Sequence, residues 1–203
     1  LGETLISVIG QGYFQTSPLQ LCLMMAQLAN GGYEIKPRII DDKYILQPII
    51  NAWRQEFNII NNNLNLENLE LKKLYRNKEN IKFVLDAMYG ATNEPGGTSY
   101  GSRLTKKEFI YAGKTGTSQT RTITEEERRL KLKQKDMEYK KRDHALFVAF
   151  APYKNPRYAI SVVIEHGGSG SSSAAPVAKQ VIKKVLERHQ ERQKYQLDLF
   201  QEA

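Results

Sequence analysis

A short apolar run, residues 109–112, leads into Lys114-Thr115-Gly116-Thr117, which sets one cation and two hydroxyl groups beside a glycine. Because glycine lets a backbone approach a ligand closely, this combination suits a bound oxyanion or carboxylate. A phosphate-binding P-loop reads Gly-x-x-x-x-Gly-Lys-Thr, which would put its first glycine at position 108. That position is Glu108, so the spacing excludes a P-loop.

The composition is that of an ordinary globular protein, with 203 residues of which 40% are hydrophobic and 26% are charged. No stretch approaches the roughly 20 apolar residues of a membrane span. The first residues, from Leu1, carry no basic or cleavable targeting pattern. Because the sequence begins without a methionine, we expect a fragment or a processed piece.

The net charge of +8 at pH 7 raises the question of nucleic-acid binding. Much of the excess lies among glutamates, and no basic stripe alternates with stacking aromatics, so we expect no nucleic-acid partner. The single cysteine, Cys22, stands in an apolar stretch and is expected to be a small packed side chain. His144 and His166 lack the cysteine or paired carboxylate neighbours of a metal site, so we expect structural roles for both and no metal.

Helix caps and apolar spacing predict three helices. One starts at Ser17-Pro18 and stops at Gly31-Gly32, a second starts at Ile81 and ends near Gly90, and a third covers residues 174–187. The side chains expected to face the core are Leu21, Met24, Met25, Leu28, Ile81, Val84, Leu85, Met88, Val177, Val181, Ile182, Val185 and Leu186.

Two near-continuous apolar runs, Ala145–Ala151 and Tyr158–Ile164, predict strands. The short connection at residues 152–156 is typical of an antiparallel hairpin. Strands that are apolar on both faces need cover on both sides, which the predicted helices can provide. The expected fold is therefore an antiparallel sheet flanked by helices.

The remaining segments give weaker signals. Residues 5–13 read as a short strand or loop, and residues 33–42 as extended chain. The Asn-rich residues 44–80 predict a variable surface insertion with some helix at 49–57. The charged residues 121–142 are typical of a solvated helix, and residues 191–203 of a polar, frayed tail.

Several short motifs occur in an order that resembles the C-terminal half of the transpeptidase domain of class B penicillin-binding proteins, most closely the penicillin-binding protein 2 subgroup. The resemblance covers about residues 1–187, apart from the Asn-rich insertion. It implies an α/β (α+β) fold and one domain portion over residues 1–190. The motifs are Gly10-Gln-Gly-Tyr13, Ser17-Pro-Leu-Gln-Leu21, Glu94-Pro-Gly-Gly-Thr98, Ala112-Gly-Lys-Thr-Gly-Thr-Ser118, Arg142-Asp-His144, Phe150-Ala-Pro-Tyr153 and Glu165-His-Gly-Gly-Ser-Gly170.

The sequence departs from the family at the nucleophile. No serine is followed by lysine three residues later, and none begins a Ser-x-Asn motif. We therefore expect the acylating serine and its base to lie upstream, in a truncated, split or processed transpeptidase that is inactive as this chain alone. The serine run at residues 169–173 lacks the Gly-x-Ser-x-Gly spacing and is predicted to be a helix N-cap and turn.

The resemblance implies part of a D,D-transpeptidase, in which a serine forms an acyl-enzyme with a peptidoglycan stem peptide ending in D-Ala-D-Ala and also reacts with β-lactams. Lys114 would supply positive potential for the substrate carboxylate and for proton transfer, and Thr115 and Thr117 would hydrogen-bond that carboxylate. The Thr117 N–H would be an oxyanion donor, and Gly116 would leave clearance for the substrate. The motif strand would be a sheet edge along which an extended peptide can add.

The family further implies a place at the periplasmic face of the bacterial inner membrane, contact with the upstream half of the same domain, and cell-elongation membrane proteins as partners. No cofactor is implied. Two other functions stay open. One is a non-catalytic C-terminal binding module that contacts the elongation machinery through residues 121–142 or the tail. The other is a β-lactamase-like hydrolase, which the missing serine–lysine pair disfavours.

Overall fold

The computed structural model describes residues 2–8, 15–37, 72–121, 124–130 and 134–201. This part of the chain contains three strands, β1 (Ala112–Ser118), β2 (His144–Ala151) and β3 (Tyr158–Ile164). Its helices are α1 (Gly2–Val8), α2 (Pro18–Ala29), α3 (Lys78–Asn93), α4 (Glu125–Leu130) and α5 (Ala175–Gln201). No helix in these ranges is long and apolar enough to cross a membrane.

The strands form one antiparallel sheet in the order β1-β2-β3. In its register Lys114 lies opposite Val148, and Ala149 lies opposite Ile160. The predicted hairpin of the two apolar runs is confirmed; β3 has the predicted bounds, and β2 begins one residue earlier than predicted, at His144. The sheet has β1 at one edge and β3 at the other within the described residues.

Helices cover both faces of the sheet, as expected. Alternate residues of β2 point to opposite sides. Ala145, Phe147 and Ala149 pack with the buried side of α5, whereas Phe150 packs with Met25 of α2 and Met88 of α3. The sheet is thus the middle layer, with α5 on one face and α2 and α3 on the other.

The helix starts follow from side-chain caps. The Ser17 hydroxyl accepts a hydrogen bond from the Gln20 amide while the Gln20 side chain accepts one from the Ser17 amide, which satisfies two otherwise free donors. Helix α3 begins at Lys78, three residues before the predicted start, because the Asn77 side chain caps it at the amide of Glu79.

The predicted buried faces are only partly correct. Met24, Val84, Val177 and Val181 are exposed by 38–44% of their surface. On α5 the prediction is confirmed for Ile182 and Leu186, and the rest of the buried stripe is formed by Ala175 and Ala178, which were not predicted. Small alanines on this stripe meet Ala145 and Ala149 of the sheet, so the helix packs closely along a face that large-residue spacing alone does not reveal.

Three local predictions need correction. Residues 5–8, read as strand or loop, belong to helix α1. The charged segment contains α4 and two single helical turns, Gln134–Asp136 and Tyr139–Lys141, rather than one helix. In this segment the Arg142 side chain donates to the carbonyl of Met137. Such side-chain bonds to the backbone stabilise the chain between the helical turns. Residues 191–201, predicted to belong to a frayed tail, continue helix α5.

Other predictions fall outside the described residues. These are the motif at residues 10–13, the extended chain at 38–42 and the insertion from residue 44 to 71 with its helix at 49–57. The extended chain before the insertion is seen at Tyr33, which forms an isolated antiparallel bridge with Lys73.

Candidate active site

The edge strand β1 is fixed at its beginning by Thr92 of α3. Its hydroxyl oxygen accepts from the Gly113 amide at 3.1 Å and donates to the Gly113 carbonyl at 3.3 Å. The backbone groups of Gly113 are therefore directed away from β2. Since successive residues of a strand alternate in direction, those of Thr115 and Thr117 are directed to the same open edge.

The Lys114 side chain is exposed at this edge, and its ammonium donates to the carbonyl of Thr115 at 2.9 Å. The ion pairs found among the described residues do not include Lys114. An exposed ammonium held beside an open strand edge can accept a carboxylate partner without breaking an existing ion pair.

Thr115 is positioned by the glycine-rich turn that follows α3. Its hydroxyl donates to the Thr98 hydroxyl at 3.2 Å. Gly97 allows this approach, because a Cβ there would lie 2.5 Å from the Ala91 carbonyl oxygen, and Gly96 has a positive φ of 88°. The turn motif was visible in the sequence, but the contact of Thr98 with the lysine motif was not.

Gly116 and Thr117 complete the edge. Thr117 is exposed and pairs with Ala145 of β2. Its side chain therefore lies on the face of the sheet that packs against α5. A Cβ on Gly116 would lie 3.3 Å from the Cβ of Leu146, which is a tight contact within the protein itself. The clearance that Gly116 would give to a ligand stays a prediction.

His144 is the first residue of β2, and His166 lies in the turn that follows β3. The His144 ring nitrogen Nδ1 accepts from the His166 amide, and His166 Nδ1 donates to the Arg142 carbonyl, both at 2.9 Å. His166 has a positive φ of 54°, and these bonds hold it there. Both rings thus fasten the turn, and the described residues hold no group of three or more potential metal ligands.

The serine run leads into α5 through the wide helical turn Gly170–Ala174. Ser169 stands at the N-cap position but makes no capping hydrogen bond, because its hydroxyl lies 3.0 Å from that of Ser171. Ser173 donates instead to the carbonyl of Gly167 at 2.7 Å. The prediction of a turn before the helix is confirmed, whereas the residue at the N-cap position, Ser169, makes no side-chain capping bond.

Comparison with known proteins matches residues 3–183 to the family model of the penicillin binding protein transpeptidase domain. The peptidoglycan D,D-transpeptidase MrdA of Salmonella typhimurium is 31% identical over an alignment 192 residues long, which covers 89% of this chain and 26% of that protein. MrdA of Haemophilus influenzae is 30% identical over an alignment 206 residues long, which covers 98% of this chain and 28% of the relative. The chain thus spans about a quarter of the length of these relatives.

Solved structures agree. In the complex of Helicobacter pylori PBP2 with MreC, PBP2 matches 92% of this chain and 28% of its own, at 29% identity and a TM-score of 0.63. Pseudomonas aeruginosa PBP2, in complex with WCK 5153, matches 89% of this chain and 32% of its own, at 34% identity and a TM-score of 0.59. The chain belongs to the penicillin-binding protein transpeptidase family.

Proposed function

We propose that this chain forms one wall of a peptidoglycan D,D-transpeptidase site, the wall that binds the terminal carboxylate of a stem peptide or of a β-lactam. The observation that carries this proposal is the open edge of β1, where the exposed Lys114 ammonium donates to the Thr115 carbonyl and the Thr115 hydroxyl donates to Thr98. Family membership supports it, since the relatives that match the chain are named D,D-transpeptidases.

In the proposed reaction a serine attacks the carbonyl of the D-Ala-D-Ala peptide bond, which breaks: the acyl-enzyme forms and the terminal D-Ala leaves with the proton that the serine gave up. An amine of a neighbouring stem peptide then displaces the serine and forms the cross-link. The Thr117 N–H, directed to the open edge, is one oxyanion donor, and removing one such donor costs about 10²- to 10³-fold in rate. Lys114 provides positive potential for the carboxylate and for proton transfer. The sequence contains no Ser-x-x-Lys, so the serine comes from a segment outside it, and the isolated chain is inactive.

The strand edge also sets how a peptide binds. An extended peptide adds alongside β1 by main-chain hydrogen bonds, as in other cases of strand addition. Thr92 already occupies both backbone groups of Gly113, so this pairing ends before that residue. The bound strand is therefore confined to the level of Thr115 and Thr117, next to the Lys114 ammonium.

The same proposal places the chain in a larger assembly. Residues 1–190 form the C-terminal part of a transpeptidase domain that works at the periplasmic face of the bacterial inner membrane, with residues 44–80 as a variable insertion. The Helicobacter pylori relative is described in complex with MreC. By analogy, a membrane protein of the cell-elongation machinery is the partner proposed for this chain.

Fluorescent penicillin tests the proposal. We expect no labelling of this chain alone, and labelling when it is joined to the segment that carries Ser-x-x-Lys. Lys114→Ala should reduce that labelling rate by about 10²-fold or more, because the ligand carboxylate and the transferred proton lose their cation. Lys154→Ala, at an exposed loop position, is the control and should label normally.

Two results would count against the proposal. Labelling of the isolated chain would show that it carries its own nucleophile. Unchanged labelling of Lys114→Ala in the joined protein would remove Lys114 from the site.

A further inference from the structure

The turn between β3 and α5 rests directly on the backbone of the lysine-motif strand. Gly170 of this turn is buried. A methyl group placed on it would overlap the Leu146 carbonyl oxygen and would lie 2.7 Å from the carbonyl oxygen and 3.1 Å from the nitrogen of Gly116. All three neighbours are backbone atoms, which cannot rotate away as a flexible side chain can.

The contact falls on the peptide unit that matters for the proposed chemistry. The Gly116 carbonyl and the Thr117 N–H belong to one planar peptide group, so a push on the carbonyl oxygen tilts the N–H. Gly116 lies opposite Leu146 in the sheet register, and the turn therefore covers the pairing of the two strands at this level. The open-edge direction of the Thr117 N–H depends on this peptide plane.

Hydrogen bonds and packing hold this turn in place, so it can move little away from β1 and β2. Ser173 donates to the Gly167 carbonyl at 2.7 Å, and the Gly168 amide donates to the Asp143 carbonyl at 2.8 Å. The residues that follow, Ala174 and Ala175, are fully buried against the sheet. An added methyl on Gly170 must therefore be accommodated at least partly by the Gly116–Thr117 peptide.

We propose that Gly170 is a positioning residue for acyl transfer: the glycine turn fixes the Gly116–Thr117 peptide plane and so aims the Thr117 N–H at the developing oxyanion. This inference rests on the proposed function, because it assumes that the edge of β1 is the acylation site. A role confined to packing would change stability only. A positioning role also changes the acylation step and the polarisation of the acyl carbonyl.

The test is Gly170→Ala in the transpeptidase that carries the acylating serine. Acylation by penicillin is followed at several concentrations, which separates the binding constant from the first-order acylation rate. We expect that rate to fall by about 10- to 100-fold, since a misplacement of about 1 Å can cost 10²-fold, while the binding constant changes little because the carboxylate contacts remain. The carbonyl stretch of the acyl-enzyme, measured by isotope-edited infrared spectroscopy, should move to higher frequency as the oxyanion hydrogen bond weakens.

Gly101→Ala is the matched control, because a Cβ at Gly101 meets no atom within 4 Å and the residue has an ordinary φ. An acylation rate for Gly170→Ala within twofold of the parent, with an unshifted carbonyl band, would overturn the inference. If Gly170→Ala does not fold, Ser173→Ala releases the same turn without adding atoms. An unshifted carbonyl band in that variant would also overturn it.

The experiments distinguish a failure of the proposed site from a failure of the role proposed for Gly170. A parent protein that penicillin does not label, or a Lys114→Ala variant that labels normally, refutes the proposed site. Normal labelling of the parent, loss with Lys114→Ala and an unaffected Gly170→Ala variant refute only the role of the glycine turn.

Discussion

The buried hydroxyl of Thr92 binds both backbone groups of Gly113, one residue before Lys114. A side chain of α3 thus takes the place of a neighbouring strand at the start of β1. The neighbouring Asn93 side chain adds a bond from its amide to the Tyr111 carbonyl at 2.8 Å, so two residues of α3 join the helix to the start of the strand. The Thr92 contact also separates the closed part of the edge from the open part at Thr115 and Thr117.

Replacing Thr92 by valine should destabilise the fold. Valine has the same shape but leaves the buried amide and carbonyl of Gly113 without their partner, and each such buried group costs about 1–3 kcal/mol. We expect the free energy of unfolding in urea to fall by about 2 kcal/mol or more. Thr92→Ser keeps the hydroxyl, so its free energy of unfolding should fall clearly less than that of Thr92→Val. Equal losses in the two variants would show that the methyl group matters and the hydrogen bonds do not.

The sequence was informative where one local signal was sufficient. The hairpin of β2 and β3 follows from two apolar runs and a short connection, and the start of α2 follows from Ser17-Pro18. Lys114 could be singled out because Lys114-Thr115-Gly116 occurs together with the other motifs of the family, in the same order. These features depend on residues close together in the chain.

The supports of the candidate site could not be found in this way. Thr92 looks like any threonine in a helix, and its role arises only when α3 is placed beside β1, 21 residues later in the chain. Gly170 could be read as a flexible turn residue, whereas its contact with Gly116 depends on the packing of the turn on the sheet. Such roles belong to tertiary packing, which no local pattern encodes.

The two adjacent residues Val181 and Ile182 test the corrected buried face of α5. Ile182 is 4% exposed and lies in the core cluster, whereas Val181 is 43% exposed. We expect Ile182→Ala to reduce the free energy of unfolding by about 2–5 kcal/mol. Val181→Ala should change it by about 0.5 kcal/mol or less, because a surface substitution removes little packing. Thermal and urea unfolding of the pair give the comparison, and similar losses would contradict the assigned face.

The free energy of unfolding should also decrease at alkaline pH, because the Tyr153 phenol ionises. Its hydroxyl donates to Asp86 at 2.7 Å, and burial, together with this hydrogen bond and the Asp86 charge, raises the pKa of Tyr153 to about 12 from its ordinary value of 10.0. The folded state holds the neutral phenol, whereas the unfolded chain ionises near pH 10. The stabilisation is therefore complete below pH 10 and is lost as the pH rises from about 10 to 12.

The measurement is the free energy of unfolding between pH 8 and pH 12, combined with absorbance titration of the tyrosines near 295 nm. Tyr153→Phe should remove this residue's share of the alkaline loss and one late-titrating phenol. Asp86→Asn should keep the phenol but lower its pKa, because the hydrogen-bonded carboxylate charge is gone while the burial remains. Identical pH profiles for the parent and Tyr153→Phe would show that the bond between Tyr153 and Asp86 does not hold the phenol neutral.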